Sequence, residues 1–199
     1  MRSRTETFIP QKVKCNYTEG RRSREKRCAD GRFLMGASLF NAMNRLLLGA
    51  FAGLVATVPM TVVMKILHAN LPDDEDYPLP PREIIDETAK RVELQDDLSE
   101  EAKTALTFAG HFAYGTATGS LYPVLISNPN PINGAVYGLG VWGVSYLGWL
   151  PAAGILGSAT KHPARRVALM VAAHLVWGAT LGAIAERMKD EGGRMKAKE

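Results

Sequence analysis

The chain has 199 residues, 46% of them hydrophobic, with 24 Lys and Arg against 20 Asp and Glu and only two cysteines. Its mean hydropathy is near zero, but that average hides a segregation: residues 104–160 carry no charge, and neither do 46–64 and 167–185. Uncharged runs of this length count against a soluble chain, because a bilayer core about 30 Å thick is crossed by roughly 20 mostly apolar residues of helix.

Residues 1–45 hold eleven Lys or Arg against four acids, including RRSREKR at 21–27. Such a run reads as a disordered, topology-setting cytoplasmic tail; the alternatives are contact with anionic lipid headgroups or nucleic acid. It lacks the apolar core of a signal peptide. Met35 offers a second possible start, followed by a short amphipathic lead into the first span. Cys15 and Cys28 form no CxxC pair, a cytoplasmic location keeps them reduced, and they receive no function.

Four spans follow, at about 46–67, 104–126, 133–156 and 167–186. The middle break is SNPNPIN at 127–133, whose two prolines and polar residues stop a helix. The expected fold is all-α: an integral membrane four-helix bundle over 46–186, with a charged C-terminal tail at 187–199. The basic N-terminus places both termini on the cytoplasmic side. Lys161, Arg165 and Arg166 disagree, since four spans put their loop outside. The connection at 68–103 is acidic. Pro78, Pro80 and Pro81 give it a stiff entry, Ile84, Ile85, Thr88, Val92 and Leu94 suggest a short amphipathic helix, and Ser99 before two acids reads as an N-cap. The connection is a solvated lid or an acidic antechamber that gathers cations.

HFAYGTATG at 111–119 and HLVWGATLG at 174–182 repeat a histidine, an aromatic three residues on and glycines at the fourth and eighth following positions. GAFAGL at 49–54 and GAVYGL at 134–139 correspond in the first and third spans. The chain therefore reads as two parallel two-helix repeats. Gly49/Gly53, Gly115/Gly119, Gly134/Gly138 and Gly178/Gly182 are each four apart, the spacing that lets membrane helices touch. A tightly closed bundle with little central space follows, and oligomerisation through glycine faces is an option. His111 and His174 lie at equal depth and face other helices. They serve packing, a proton or cation path, or, as a further alternative, bis-His ligation of haem b. No cofactor is otherwise expected. No metal site is expected either, because neither Cys nor carboxylate joins the pair. Trp142, Tyr146 and Trp149 recur at helical spacing and read as an interfacial aromatic belt.

No P-loop, GxSxG, HExxH or dinucleotide fingerprint is present, and the spans hold no carboxylate. The expected role is non-enzymatic: a membrane structural or stress-related component, with the lipid bilayer and further copies of the chain as partners and no nucleic acid. PLPPR at 78–82, AVYGLGVW at 135–142, LPAAGIL at 150–156 and HLVWG at 174–178 resemble the YagU-type family of small bacterial inner-membrane proteins. The likeness spans about 45–186, with Pro80, Pro81, Arg82, His174, Trp177 and Gly178 at matching positions. It implies a multi-pass inner-membrane protein and no particular reaction.

Overall fold

A computed structural model describes residues 21–72 and 78–196, with side chains from Asn41 onward. The chain divides into two compact units, Met1–Phe40 and Asn41–Glu199, and the helical bundle lies in the second. The described residues hold helices and no strand: α1 Arg21–His68, α2 Pro80–Arg91, α3 Glu100–Leu125, α4 Pro131–Gly143, a π-helical segment Val144–Trp149, α5 Leu150–Ala152 and α6 Ala164–Lys196.

Two boundaries differ from expectation. Residues 21–45, expected within a disordered tail, are helical, because no proline interrupts α1 before Pro59 and Ala, Leu, Met, Arg and Glu sustain a helix. The charged C-terminal segment continues α6 to Lys196. Cys15 and the DDED run at 73–76 lie outside the described residues.

Other boundaries follow local chemistry. The Ser99 side chain caps α3 by accepting from the Ala102 N–H at 3.2 Å. Asn130 caps α4 in the same way, accepting from Asn133 at 2.8 Å, with Pro131 at the first helical position. The third helix is segmented into 13, 6 and 3 residues. Pro151 has no N–H to give the Leu147 carbonyl, and the turn before it widens into the π segment.

Two helices, Asn41–His68 and Ala164–Gly192, are long and apolar enough to cross a membrane. The other two expected spans fall short of that measure. α3 opens with Glu100, Glu101 and Lys103 and carries several hydroxyl residues, and the third helix is broken into short pieces.

The eight glycines form two antiparallel seams. In the first hairpin, a Cβ on Gly49 would lie 2.5 Å from the Gly119 carbonyl oxygen, and one on Gly119 would lie 2.6 Å from the Gly53 Cα. In the second, a Cβ on Gly134 would lie 2.9 Å from the Gly182 Cα, and one on Gly138 would lie 3.1 Å from the Gly178 Cα. The seams differ by one helical turn. Gly49 and Gly53 face the carbonyls of Gly119 and Gly115, whereas Gly134 and Gly138 face those of Gly178 and His174. All eight glycines are engaged within the chain, four in each hairpin.

The hairpins are joined across their interface by polar contacts. The Trp177 Nε1–H donates to the Gly53 carbonyl at 3.3 Å, and the Tyr137 hydroxyl donates to the Thr118 carbonyl at 2.6 Å. Met60, Met64, Tyr122, Leu169, Met170, Trp177 and Leu181 are the larger buried side chains around them.

Backbone-to-backbone contact cannot relax around an added methyl group. Gly134→Ala is expected to cost about 1–3 kcal/mol of stability. Gly140→Ala, where a Cβ meets no atom within 4 Å, should stay within about 0.5 kcal/mol of wild type. Thermal unfolding of the two purified variants in detergent checks the contrast.

Candidate functional site

His111 from α3 and His174 from α6 line one cavity of about 190 Å³ between the hairpins. The expectation of a tightly closed bundle with little central space holds within the hairpins but not between them. The glycine seams close each hairpin, but the aromatic side chains between the hairpins hold them apart at this level.

The repeat places equivalent side chains in equivalent roles. The histidine of each copy faces the cavity. The aromatic residue three positions on reaches the other hairpin: Trp177 binds the Gly53 carbonyl at 3.3 Å, and the Tyr114 hydroxyl pairs with the Ser145 hydroxyl at 2.8 Å. The glycine after it meets a neighbouring helix. Gly115 sits against the Thr57 side chain and Gly178 against the Gly134 backbone.

The two imidazoles differ in their bonding. His174 is 5% exposed, and its Nδ1 lies 2.7 Å from the Met170 carbonyl oxygen one turn back. A carbonyl can only accept, so Nδ1 carries the hydrogen, and in the neutral ring Nε2 is left as a bare acceptor. The Tyr146 ring meets His174 edge-on at 6.1 Å between centroids. His111 is half-buried, and its Nε2 is buried with no hydrogen-bond partner among the described residues.

The rest of the lining is uncharged. Thr57 and Met60 come from α1, Val141 from α4, Ser145, Tyr146 and Trp149 from the π segment, and Met170 and Trp177 from α6. Sequence reasoning missed Tyr146 and Ser145. Tyr146 was read as part of an interfacial belt with Trp142 and Trp149, but it is 7% exposed and stacks on Trp142 at 6.4 Å. The wider π turn re-aims its side chains, and helical spacing cannot anticipate that. Trp149 does remain exposed.

α2 roofs the cavity. Pro81, Ile84 and Ile85 face it from the polar connection. Pro80 and Pro81 start the helix where no N–H is needed. Three arginine ties hold it to three helix ends. Arg82 reaches Glu100 at the start of α3 at 2.6 Å and braces its own helix through Asp86 at 2.9 Å. Arg166, near the start of α6 and 6% exposed, pairs with Glu83. Arg91 donates to the Ala153 and Gly154 carbonyls beyond α5, both at 2.7 Å. Gly154 takes φ +67°, the left-handed turn that lets the chain leave α5 there. At this end of the connection Glu83, Asp86 and Glu100 are all paired with arginine. The Arg166 pairing also accounts for one of the loop charges that disagreed with the expected orientation.

Among the described residues no three His, Cys, Asp or Glu side chains gather to hold a metal ion. A cavity of about 190 Å³ lies below the roughly 300–1,000 Å³ of ordinary cofactor pockets. A haem macrocycle would require the hairpins to separate, so the bis-His alternative does not fit this arrangement.

These features define an all-helical protein of two glycine-packed hairpins around a roofed internal cavity. The chain belongs to DUF6789, a family of unknown function, which matches residues 43–195. Neither a curated protein nor a solved structure matches the chain.

The lid ties titrate. Hydrogen bonding to Arg82 and then Lys103 holds the Glu100 carboxyl below its ordinary range, and Glu100 together with Asp86 holds the Arg82 guanidinium above its own. A carboxylate with a lowered folded-state pKa stabilises above its unfolded pKa and loses that contribution as pH falls through the folded value. Hydrogen-exchange protection over 80–91, corrected for the intrinsic pH dependence of exchange, should therefore fall on acidification below the ordinary carboxylate range. Arg82→Ala should lower it about twofold to fivefold at neutral pH, the scale of an exposed ion pair, leaving the seams of α1 and α6 unchanged.

Proposed function

We propose that this is a non-enzymatic, multi-pass protein of the bacterial inner membrane that holds a small neutral molecule in the cavity between its hairpins. The observation that carries this reading is the convergence of the repeated histidines on one uncharged cavity, within helices whose outer faces are apolar. Leu47, Phe51, Val58, Val62, Leu121, Val124, Leu125, Ile132, Val136, Val144 and Leu147 are all exposed on the α1, α3 and third-helix surfaces. Exposed apolar area on this scale is stable against lipid and not against water.

The reading takes all four expected spans as membrane-crossing, with both termini cytoplasmic as the basic N-terminus indicates. The likeness to the YagU-type inner-membrane proteins supports the same placement. A structural or stress-related role is compatible with it: the chain closes its own glycine seams, and a bound molecule would couple the bundle to the state of the membrane. Proton or cation permeation through His111 and His174 has less support, because below the histidines Gly115 is packed against Thr57 and Gly119 against Gly53.

Two measurements test the proposal together. Carbonate-washed membranes should retain the protein. Native mass spectrometry of the full chain should then show a small neutral adduct that Gly110→Phe lacks; a side chain at Gly110 enters the cavity mouth, where its Cβ would meet only Ile85, at 3.9 Å. Release by carbonate would remove the membrane assignment. A wild-type protein with no more adduct than Gly110→Phe would remove the binding assignment, and a liposome pH-flux assay would then become the relevant experiment.

A further inference from the structure

The lining narrows the class of molecule, given the binding reading above. A cavity of roughly 150 Å³ takes one benzene ring, so about 190 Å³ suits a single substituted ring and not an acyl chain or a macrocycle. Tyr114, Tyr146, Trp149 and Trp177 supply aromatic surface around it, which favours offset or edge-on contact with a ring. No Asp, Glu, Lys or Arg lines it, so an ion would enter without a counter-charge, at high cost.

The polar requirement is specific. Most polar groups of the wall are already satisfied. Thr57 gives its hydroxyl to the Gly53 carbonyl at 2.8 Å, Trp177 gives its N–H to the same carbonyl at 3.3 Å, and Ser145 donates to the Val141 carbonyl at 2.7 Å besides pairing with Tyr114. Among the wall groups left without a partner, beside the Tyr146 hydroxyl and the Trp149 N–H, are the two imidazoles: the buried Nε2 of His111 has no partner among the described residues, and the Nε2 of His174 is a bare acceptor. Leaving a buried nitrogen unpaired is costly, and a ligand hydroxyl would recover that cost. A hydroxyl both donates and accepts, so it suits either tautomer of His111 and also the acceptor of His174, whereas a carbonyl oxygen suits only a donor.

The route in is lateral. Gly110 and Tyr114 on α3 and Trp149 at the end of the π segment line the cavity and are themselves exposed. Tyr114 and Trp149 meet at 6.2 Å between ring centroids, and the Tyr114–Ser145 hydrogen bond closes the seam behind them. In a bilayer this seam faces lipid, while α2 closes the aqueous end with its three ties.

We infer that the cavity binds a lipid-soluble, ring-sized phenol that enters between α3 and the π segment and hydrogen-bonds His111. The probe pair is thymol and p-cymene, the same substituted ring with and without its hydroxyl. Their binding to the full chain in lipid nanodiscs is followed through tryptophan fluorescence; of the three tryptophans, Trp149 and Trp177 line the site. Both should bind saturably to wild type, thymol about tenfold more tightly, the effect of one hydrogen bond. His111→Gln, which keeps a hydrogen-bonding side chain, should retain most of that preference. His111→Leu should bind the two probes equally, and its retained p-cymene binding shows that the fold survives. If wild type binds both probes equally, the phenol assignment is overturned while the binding cavity stands. A thymol preference that persists in His111→Leu overturns the role of His111. If neither probe saturates, the binding reading falls with the inference.

Discussion

The contact between glycine backbones sets everything else in this molecule. Within each hairpin two pairs of glycines let the helices approach until one helix's Cα lies over the other's carbonyl, with 2.5 Å between the Gly119 oxygen and the position a Gly49 Cβ would take. At that separation no side chain can intervene, so large side chains are displaced to the interface between hairpins. Aromatic rings collect there: Tyr122 against Tyr137 at 5.2 Å and Tyr137 against Trp177 at 6.1 Å. The cavity lies in the same interface, with Trp177, Tyr114 and Tyr146 in its wall.

That division of labour explains why the repeat is spelled as it is. A histidine, an aromatic and two glycines at helical spacing present three adjacent surfaces of one helix to three different neighbours. The glycines meet the helix partner, the aromatic crosses to the opposite hairpin, and the histidine turns into the cavity. The one-turn offset between the seams breaks the symmetry and leaves the imidazoles in unequal settings, one engaged with Met170 and the other with an unpartnered nitrogen. Two copies of one motif thus yield one site with two different polar walls.

The roof works by different physics. α2 is short and charged, and it stays in place because it supplies what helix ends need. Glu83 meets a cation at the start of α6, Arg91 binds carbonyls beyond α5, and Arg82 pairs with the acid that opens α3. Apart from the buried Arg166, these charged contacts are open to solvent, so those of Arg82 and Arg91 are each worth little alone and respond to salt. The glycine seams do not. The molecule therefore combines a permanent bundle with a cover that is only loosely fastened.

Much of this was legible in the residues. The uncharged runs, the SNPNPIN break, the Ser99 cap, the amphipathic segment after PLPPR and the paired glycines are local signals. They are written in spacing and in charge, and helices obey them wherever they sit. The inward face of the histidines followed from the same periodicity. What spacing could not supply was the identity of each neighbour. Eight glycines at an interval of four serve one chain or several equally well, and only the folded structure assigned them within the chain. Tyr146 matched an interfacial belt until the π turn rotated it inward. Arg166 looked like a loop charge until Glu83, more than eighty residues earlier, closed on it. The sequence by itself determined where the helices of the bundle run and which faces are smooth enough to touch, because those are properties of consecutive residues; it did not show the helix over 21–45 or the π segment. The tertiary structure decided that the seams close inside each hairpin and that a cavity opens between them, because both depend on contacts between residues far apart in the chain.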